Sequence, residues 1–168
     1  MIIINHGQIA HMQLPDGWRE HEEPQGVLTG PRSLREFYNP SGNQAHFGLF
    51  YRGQPIDDAS AKDFQSILNL EPHALSNEER DRIFEVLGNA ADPLAYEFSK
   101  CSTIELNGKR LLAVEGQYLG SKTNTIELFI DADGSGKLIQ QIYFSCPEKD
   151  FTAQEPFARE AFSSIKWR

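Results

Sequence analysis

The chain has 168 residues, 24 of them acidic and 16 basic, for a net charge of −8. Hydrophobic residues make up 39%, eleven Phe among them, so a single domain over 1–168 can bury roughly 70% of its unfolded surface without a metal or disulfide staple. A field of this sign works against nonspecific binding to nucleic acid or an anionic bilayer. It favours solubility and complements a basic face on a protein partner.

The opening, MIIINHGQIAHMQLPDGW, carries three consecutive isoleucines but no basic n-region and no small-residue cleavage site. It does not read as a signal peptide. No apolar run approaches the ~20 residues that span a bilayer, so the expectation is a cytoplasmic chain with no membrane insertion. Residues 9–14 alternate as a strand. Pro15-Asp16-Gly17 supplies a turn, and Trp18 is placed to anchor the next segment in the core. Residues 19–25 are polar and read as loop or edge, and 26–29 as a short strand. Segments 33–38 and 45–52 flank Asn39-Pro40-Ser41-Gly42, a hairpin pattern.

Two helices follow. Over 59–70, Phe64, Ile67 and Leu68 form one apolar stripe, with Ser60 or Asp58 as the cap. Over 76–87, Ser76 and Glu79 have the spacing of a capping box. The stripe there is Ile83, Phe84 and Leu87, and Gly88 ends the helix. Pro72 separates the two.

From residue 95 the period changes to two. Strands are expected over 95–106, 109–119, 124–131 and 137–146. Asn107-Gly108, Ser121-Lys122-Thr123 and residues 132–136 are short links, which join antiparallel neighbours in a meander. A final helix over 153–165 places Phe157, Ala161, Phe162 and Ile165 on one face. In the last hairpin, Ile126, Leu128 and Ile130 face one way with Leu138 and Ile142, and Phe129, Ile139 and Tyr143 face the other. A sheet apolar on both sides is covered on both sides. The predicted architecture is α+β: an antiparallel sheet of about six strands flanked by helices on both faces, an α/β/α sandwich. The same register puts Cys101 beside Val114 and Cys146 near the 119–124 turn, roughly 20 Å apart at about 3.3 Å per residue. A disulfide needs Cα atoms within about 7 Å, so none is predicted.

Residues 131–137, DADGSGK, resemble the first half of an EF-hand loop, with Asp131, Asp133 and Ser135 as candidate metal ligands. The twelfth position, which needs a bidentate glutamate, is Ile142, and the flanks are strands rather than helices. The acidic and glycine residues are those of a hairpin tip, so no metal or cofactor is expected. The five histidines, His6, His11, His21, His46 and His73, form no HExxH pair. His21-Glu22-Glu23 alternates direction in an extended segment. There is no GxSxG elbow, P-loop or GxGxxG; Gly134-Ser135-Gly136 sits in a hairpin, and Cys101-Ser102 within a strand. Glu97, Glu105, Glu115 and Glu127 lie on strands. A carboxylate on an inner face would have a raised pKa and could act as acid or base, but exposed positions are the expectation. If a pocket lies between sheet and helices, Glu115, Tyr118 and Tyr143 are the candidates to line it.

Leu14-Pro15-Asp16-Gly17-Trp18 near the start, a long meander after a helical pair, and the ending Phe157…Ala161-Phe162-Ser163-Ser164-Ile165-Lys166-Trp167 behind Tyr143-Phe144-Ser145-Cys146-Pro147-Glu148 together resemble the PsbP/Mog-like superfamily and its bacterial DcrB-type relatives. The resemblance runs through most of the chain in order of elements. It implies an antiparallel sheet sandwiched by helices, and binding rather than catalysis: PsbP is an extrinsic subunit of photosystem II, and Mog-like proteins bind the GTPase Ran. The bacterial relatives are often exported lipoproteins, whereas this sequence shows no leader and no lipobox cysteine. The functional expectation is a noncatalytic protein-interaction module with an unidentified, basic protein partner. The alternative is a small-ligand binder or enzyme with a pocket between sheet and helices.

Overall fold

The computed structural model describes residues 2–21, 34–52 and 55–168. The expected strand at 26–29 and the acidic pair after His21 lie outside them. Ten strands and four helices are described, in the order β1 (Ile2–His6), β2 (Ile9–Leu14), β3 (Arg19–Glu20), β4 (Arg35–Tyr38), β5 (His46–Tyr51), α1 (Asp58–Asn69), α2 (Asn77–Arg82), α3 (Phe84–Leu87), β6 (Tyr96–Leu106), β7 (Lys109–Tyr118), β8 (Thr123–Asp131), β9 (Ile139–Pro147), α4 (Glu148–Ser163) and β10 (Lys166–Trp167). A single 3-10 turn, Gly88–Ala91, follows α3. The main sheet has seven antiparallel strands in the order β3-β4-β5-β9-β8-β7-β6; β1, β2 and β10 form a separate small sheet.

The meander forms as the short links require, with Asn107 and Gly108 both at positive φ in the β6–β7 turn. Alternation then divides the core in two. Leu111, Ala113, Ile126, Leu128, Ile130, Ile142 and Phe144 face α4 and the small sheet, where Ile4, Ile9, Met12, Leu14 and Trp18 are buried with them. Leu112, Val114, Phe129 and Ile139 face the other way, onto Phe64, Ile67 and Leu68 of α1 and Ile83, Val86 and Leu87 around α3. The chain is thus an α+β sandwich with cover on both faces, as a doubly apolar sheet demands. Two strands went unforeseen. β1 pairs with β2, and β10 forms on the other side of β2 only when the chain leaves α4. β10 takes its partner from the opposite end of the sequence, β1 from the next segment of the chain, and neither strand is long enough to show a clear period.

The helical details also depart from expectation. Asp57, not Ser60 or Asp58, caps α1: its carboxylate accepts from the Ser60 backbone N–H at 2.8 Å. The capping box of Ser76 and Glu79 is present, but the helix it starts breaks at Ile83 (φ −111°, ψ 28°) and restarts as α3. The break rotates the apolar face, so Ile83, Val86 and Leu87 are buried while Phe84 is 55% exposed. α4 begins earlier than expected, at Glu148, and leaves Phe157 exposed while Ala158, Ala161 and Phe162 pack. Among the described residues no helix is long and apolar enough to cross a membrane.

Candidate functional site

The helix-side face of the main sheet is not filled throughout. One row of paired residues crosses it: Cys101 on β6, Val114 on β7, Glu127 on β8, Tyr143 on β9, Gly48 on β5 and Glu36 on β4. At the β6 and β7 end the row is apolar and covered by helix. Toward β8, β9 and β5 it becomes polar and opens into a cavity of about 780 Å³. Thr125, Glu127, Gln141, Tyr143 and Ser145 contribute to its floor, Phe50, Arg52 and Tyr118 to its sides, and Leu87, Gly88 and Asn89 to its helical wall.

Glycine sets the depth. A Cβ on Gly48 would lie 2.2 Å from Cζ of Tyr143. Without one, the Tyr143 ring lies flat across β5, and its hydroxyl donates to the Glu36 carboxylate at 2.8 Å. His46 and Phe50 contact the same ring edge-on, at 5.8 and 6.2 Å between centroids. Burial and the Glu36 carboxylate both push the Tyr143 phenol far above its ordinary range.

Glu127 is 3% exposed. Its Oε2 accepts from Gln141 Nε2 at 2.5 Å, and Gln141 Oε1 accepts from Arg52 at 3.3 Å. An amide therefore stands between the acid and the guanidinium. Burial raises the Glu127 pKa; hydrogen bonds from Thr125 and Gln141 and the charge of Arg52 oppose the rise without cancelling it. This is the desolvation case for a carboxyl, in which the neutral form is favoured. Arg52 also donates to the Glu85 carbonyl and lies 5.4 Å from the centroid of the Phe129 ring. The Tyr118 phenol is pushed up to about 12, by burial first and by Glu127 second. Thr125 shares a 2.9 Å hydrogen bond with Tyr96. The Tyr118 and Ser145 hydroxyls make no side-chain hydrogen bond to another described residue.

The residues singled out from the sequence fall in three places. Tyr118 and Tyr143 line the cavity. Glu115 does not: it pairs across from Ile126, on the α4 face, and Arg159 holds it with two bonds of 2.6 and 2.7 Å. That guanidinium keeps the Glu115 carboxyl below its usual range. Asp131, Asp133 and Ser135 form the β8–β9 tip. Asp131 accepts from the backbone N–H of Gly134 and Gly136, each at 3.0 Å, and Asp133 from both the N–H and the hydroxyl of Ser135. Their oxygens serve the turn, and Gly136 packs so closely on the Ala61 carbonyl that a Cβ would stand 2.4 Å from it. No group of three potential metal ligands converges among the described residues.

Solved structures with the same arrangement fix the kind of fold. A protein of unknown function from Pseudomonas aeruginosa, PA94, aligns over 100% of this chain and 97% of its own, with a TM-score of 0.56 and 18% identity. Cyanobacterial PsbP (CyanoP) from Synechocystis sp. PCC 6803 aligns over 94% of this chain and 86% of its own, with a TM-score of 0.53 and 10% identity. The chain has a PsbP-like fold. LpqN of Mycobacterium tuberculosis, involved in cell envelope biogenesis, aligns more loosely, over 92% of this chain and 80% of its own, with a TM-score of 0.48 and 15% identity. No protein-family model and no curated protein sequence matches the chain. At these identities the likeness speaks for the fold, and the site must be read from its own residues.

Sequence reasoning passed over Arg52, Thr125, Gln141 and Ser145 and treated Glu127 as exposed. A signal existed for all of them except Arg52. Thr125 and Glu127 share the parity of buried Phe129, as Gln141 and Ser145 share that of Ile139. Polar residues on a strand face that is otherwise apolar mark a gap in the packing or a site. Arg52 carried no such mark, since it follows the last residue of β5 and only the fold brings it to Gln141.

Proposed function

We propose that this protein is a noncatalytic binding protein that receives a small ligand in the cavity of the main sheet. The observation that carries the reading is the convergence of Thr125, Glu127, Gln141, Tyr143 and Ser145 on one concave, half-apolar space. A few placed polar groups in an apolar cleft of several hundred Å³ is the usual form of a small-molecule site. Burial raises the Glu127 pKa and drives the Tyr118 and Tyr143 phenols upward, so each of these groups is shifted toward its neutral form. General acid–base chemistry needs a matched acid and base.

The test is a thermal-shift screen of organic anions, cations and neutral compounds on the wild type and on Asn89→Trp. Asn89 is exposed on the cavity wall, so the indole blocks the mouth without entering the core. Ligands that stabilise the wild type, by RT ln(1 + [L]/Kd), are expected to lose their effect on the variant. Shifts that survive the substitution, or no shift in any class, overturn the reading. The second reading is docking to a protein with a basic face, favoured by the net charge of −8; it predicts salt-sensitive capture that Asn89→Trp leaves unchanged.

A further inference from the structure

Arg52 sits in the cavity with neutral partners. Its described hydrogen bonds go to the Glu85 carbonyl and to Gln141, and its guanidinium faces the Phe129 ring. Among the described residues, no carboxylate lies within ion-pair distance of it. Among the described residues, two of the five N–H bonds of the guanidinium are used, which leaves others to reach a ligand. The charge is permanent, since arginine is not deprotonated in proteins, and a cation taken from water without a counter-charge is costly.

The surrounding titratable groups do not supply that counter-charge directly. On β8, Glu127 is nearest in the network, but Gln141 separates it from Arg52. On α3, Glu85 turns its carboxylate to the Asp57 backbone N–H at 2.8 Å. On β4, Glu36 is bound to the Tyr143 hydroxyl. Tyr118 on β7, Tyr96 on β6 and Tyr143 on β9 are uncharged phenols, and His46 contacts Tyr143 edge-on. The rings of Phe50, Tyr118 and Tyr143 line the same cavity.

We propose that the cavity binds a small organic carboxylate, its head group on Arg52 and its apolar body against Phe50, Tyr118 and Tyr143. This rests on the cavity being the ligand site. One guanidinium balances one negative charge, which suits a carboxylate better than a phosphate monoester, close to a dianion at neutral pH. An ammonium ligand would find aromatic faces but also the fixed charge of Arg52. Burial shifts Glu127 toward its neutral form, which lessens repulsion of a bound anion. Raising the pH places a second negative charge beside the ligand, so affinity falls as Glu127 ionises.

Three probes of one shape decide it: 4-phenylbutanoate, 4-phenylbutanamide and 4-phenylbutan-1-amine, titrated into the wild-type protein by calorimetry and by NMR at the tyrosine rings. The expected result is carboxylate binding at least tenfold tighter than amide or amine, weakening as rising pH ionises Glu127. Arg52→Gln is expected to erase the preference for the carboxylate. Glu127→Gln is expected to keep the preference and flatten the pH dependence. Should Arg52→Gln fail to fold, the ranking of the three probes on the wild type still decides. Amine or amide binding at the cavity tyrosines as tightly as the carboxylate overturns the anion proposal and leaves the cavity reading standing. No perturbation of those tyrosines by any probe overturns both.

Discussion

Glu127 concentrates the physical tension of this molecule. A carboxyl that is 3% exposed keeps its proton to a higher pH when folded than when unfolded, where a glutamate ionises near about 4.3. Above that value the unfolded chain releases a proton that the folded chain retains. Stability therefore falls as pH rises, until the folded carboxyl also ionises and the loss levels off. Glu127→Gln removes the titration but keeps an amide of similar shape. Urea titrations at pH 5 and pH 8 should show the variant gaining stability on the wild type as pH rises. Parallel pH profiles for the two proteins would contradict the burial argument. Gly48 is the second residue whose identity has a direct physical cause. Gly48→Ala drives a methyl into the Tyr143 ring, at about 1–3 kcal/mol of overpacking. It should also detach Tyr143 from Glu36, visible as a fall in the Tyr143 phenol pKa by ultraviolet titration; a melting temperature and phenol titration like those of the wild type would count against this packing.

At the scale of elements, local signals and packing agree in some places and not in others. The capping box acts as written in the sequence: Ser76 accepts from the Glu79 N–H at 3.1 Å, and Glu79 returns a bond to the Ser76 N–H at 2.9 Å. Glu79 also meets His73 Nε2 at 2.9 Å, which raises the His73 pKa. Ser76→Ala should lower stability by about 1 kcal/mol, measured by chemical denaturation. An unchanged midpoint would mean that α2 is held by packing on α1 alone. The helix beyond the cap was misread because Phe84 fits a stripe by spacing, yet the kink at Ile83 turns it outward. A helical period assumes one continuous axis, and a one-residue break invalidates it. The edges show the same limit. β6 is a terminal strand, but residues 73–75 bond to it at Cys101 and Thr103, covering part of an edge that would otherwise invite pairing. Nothing in the composition of 73–75 announces that contact.

For the whole molecule, the sheet is a partition. Cys101 belongs to the core under α1 and α3, and Cys146 to the core under α4, so the two thiols are separated by the sheet as well as along it. Both are free and buried, and burial pushes each up to about 11. The native protein should resist Ellman's reagent over minutes and release two thiols on denaturation without reductant. One thiol or none after denaturation would refute the register.

The meander, its register, its two apolar faces and the turn at 131–137 were legible in the sequence, because a period of two, Asn-Gly links and Asp/Gly tips are local signals that neighbouring residues enforce. The same alternation even held the parity of Glu127. The cavity was not legible. Its floor comes from β8 and β9, its guanidinium from the end of β5 and its wall from the turn after α3, and these meet only once strands distant in sequence pair. Whether a polar residue on a strand faces water, a helix or a cleft depends on where the covering layer stops, and that is decided by tertiary packing rather than by any residue's neighbours in the chain.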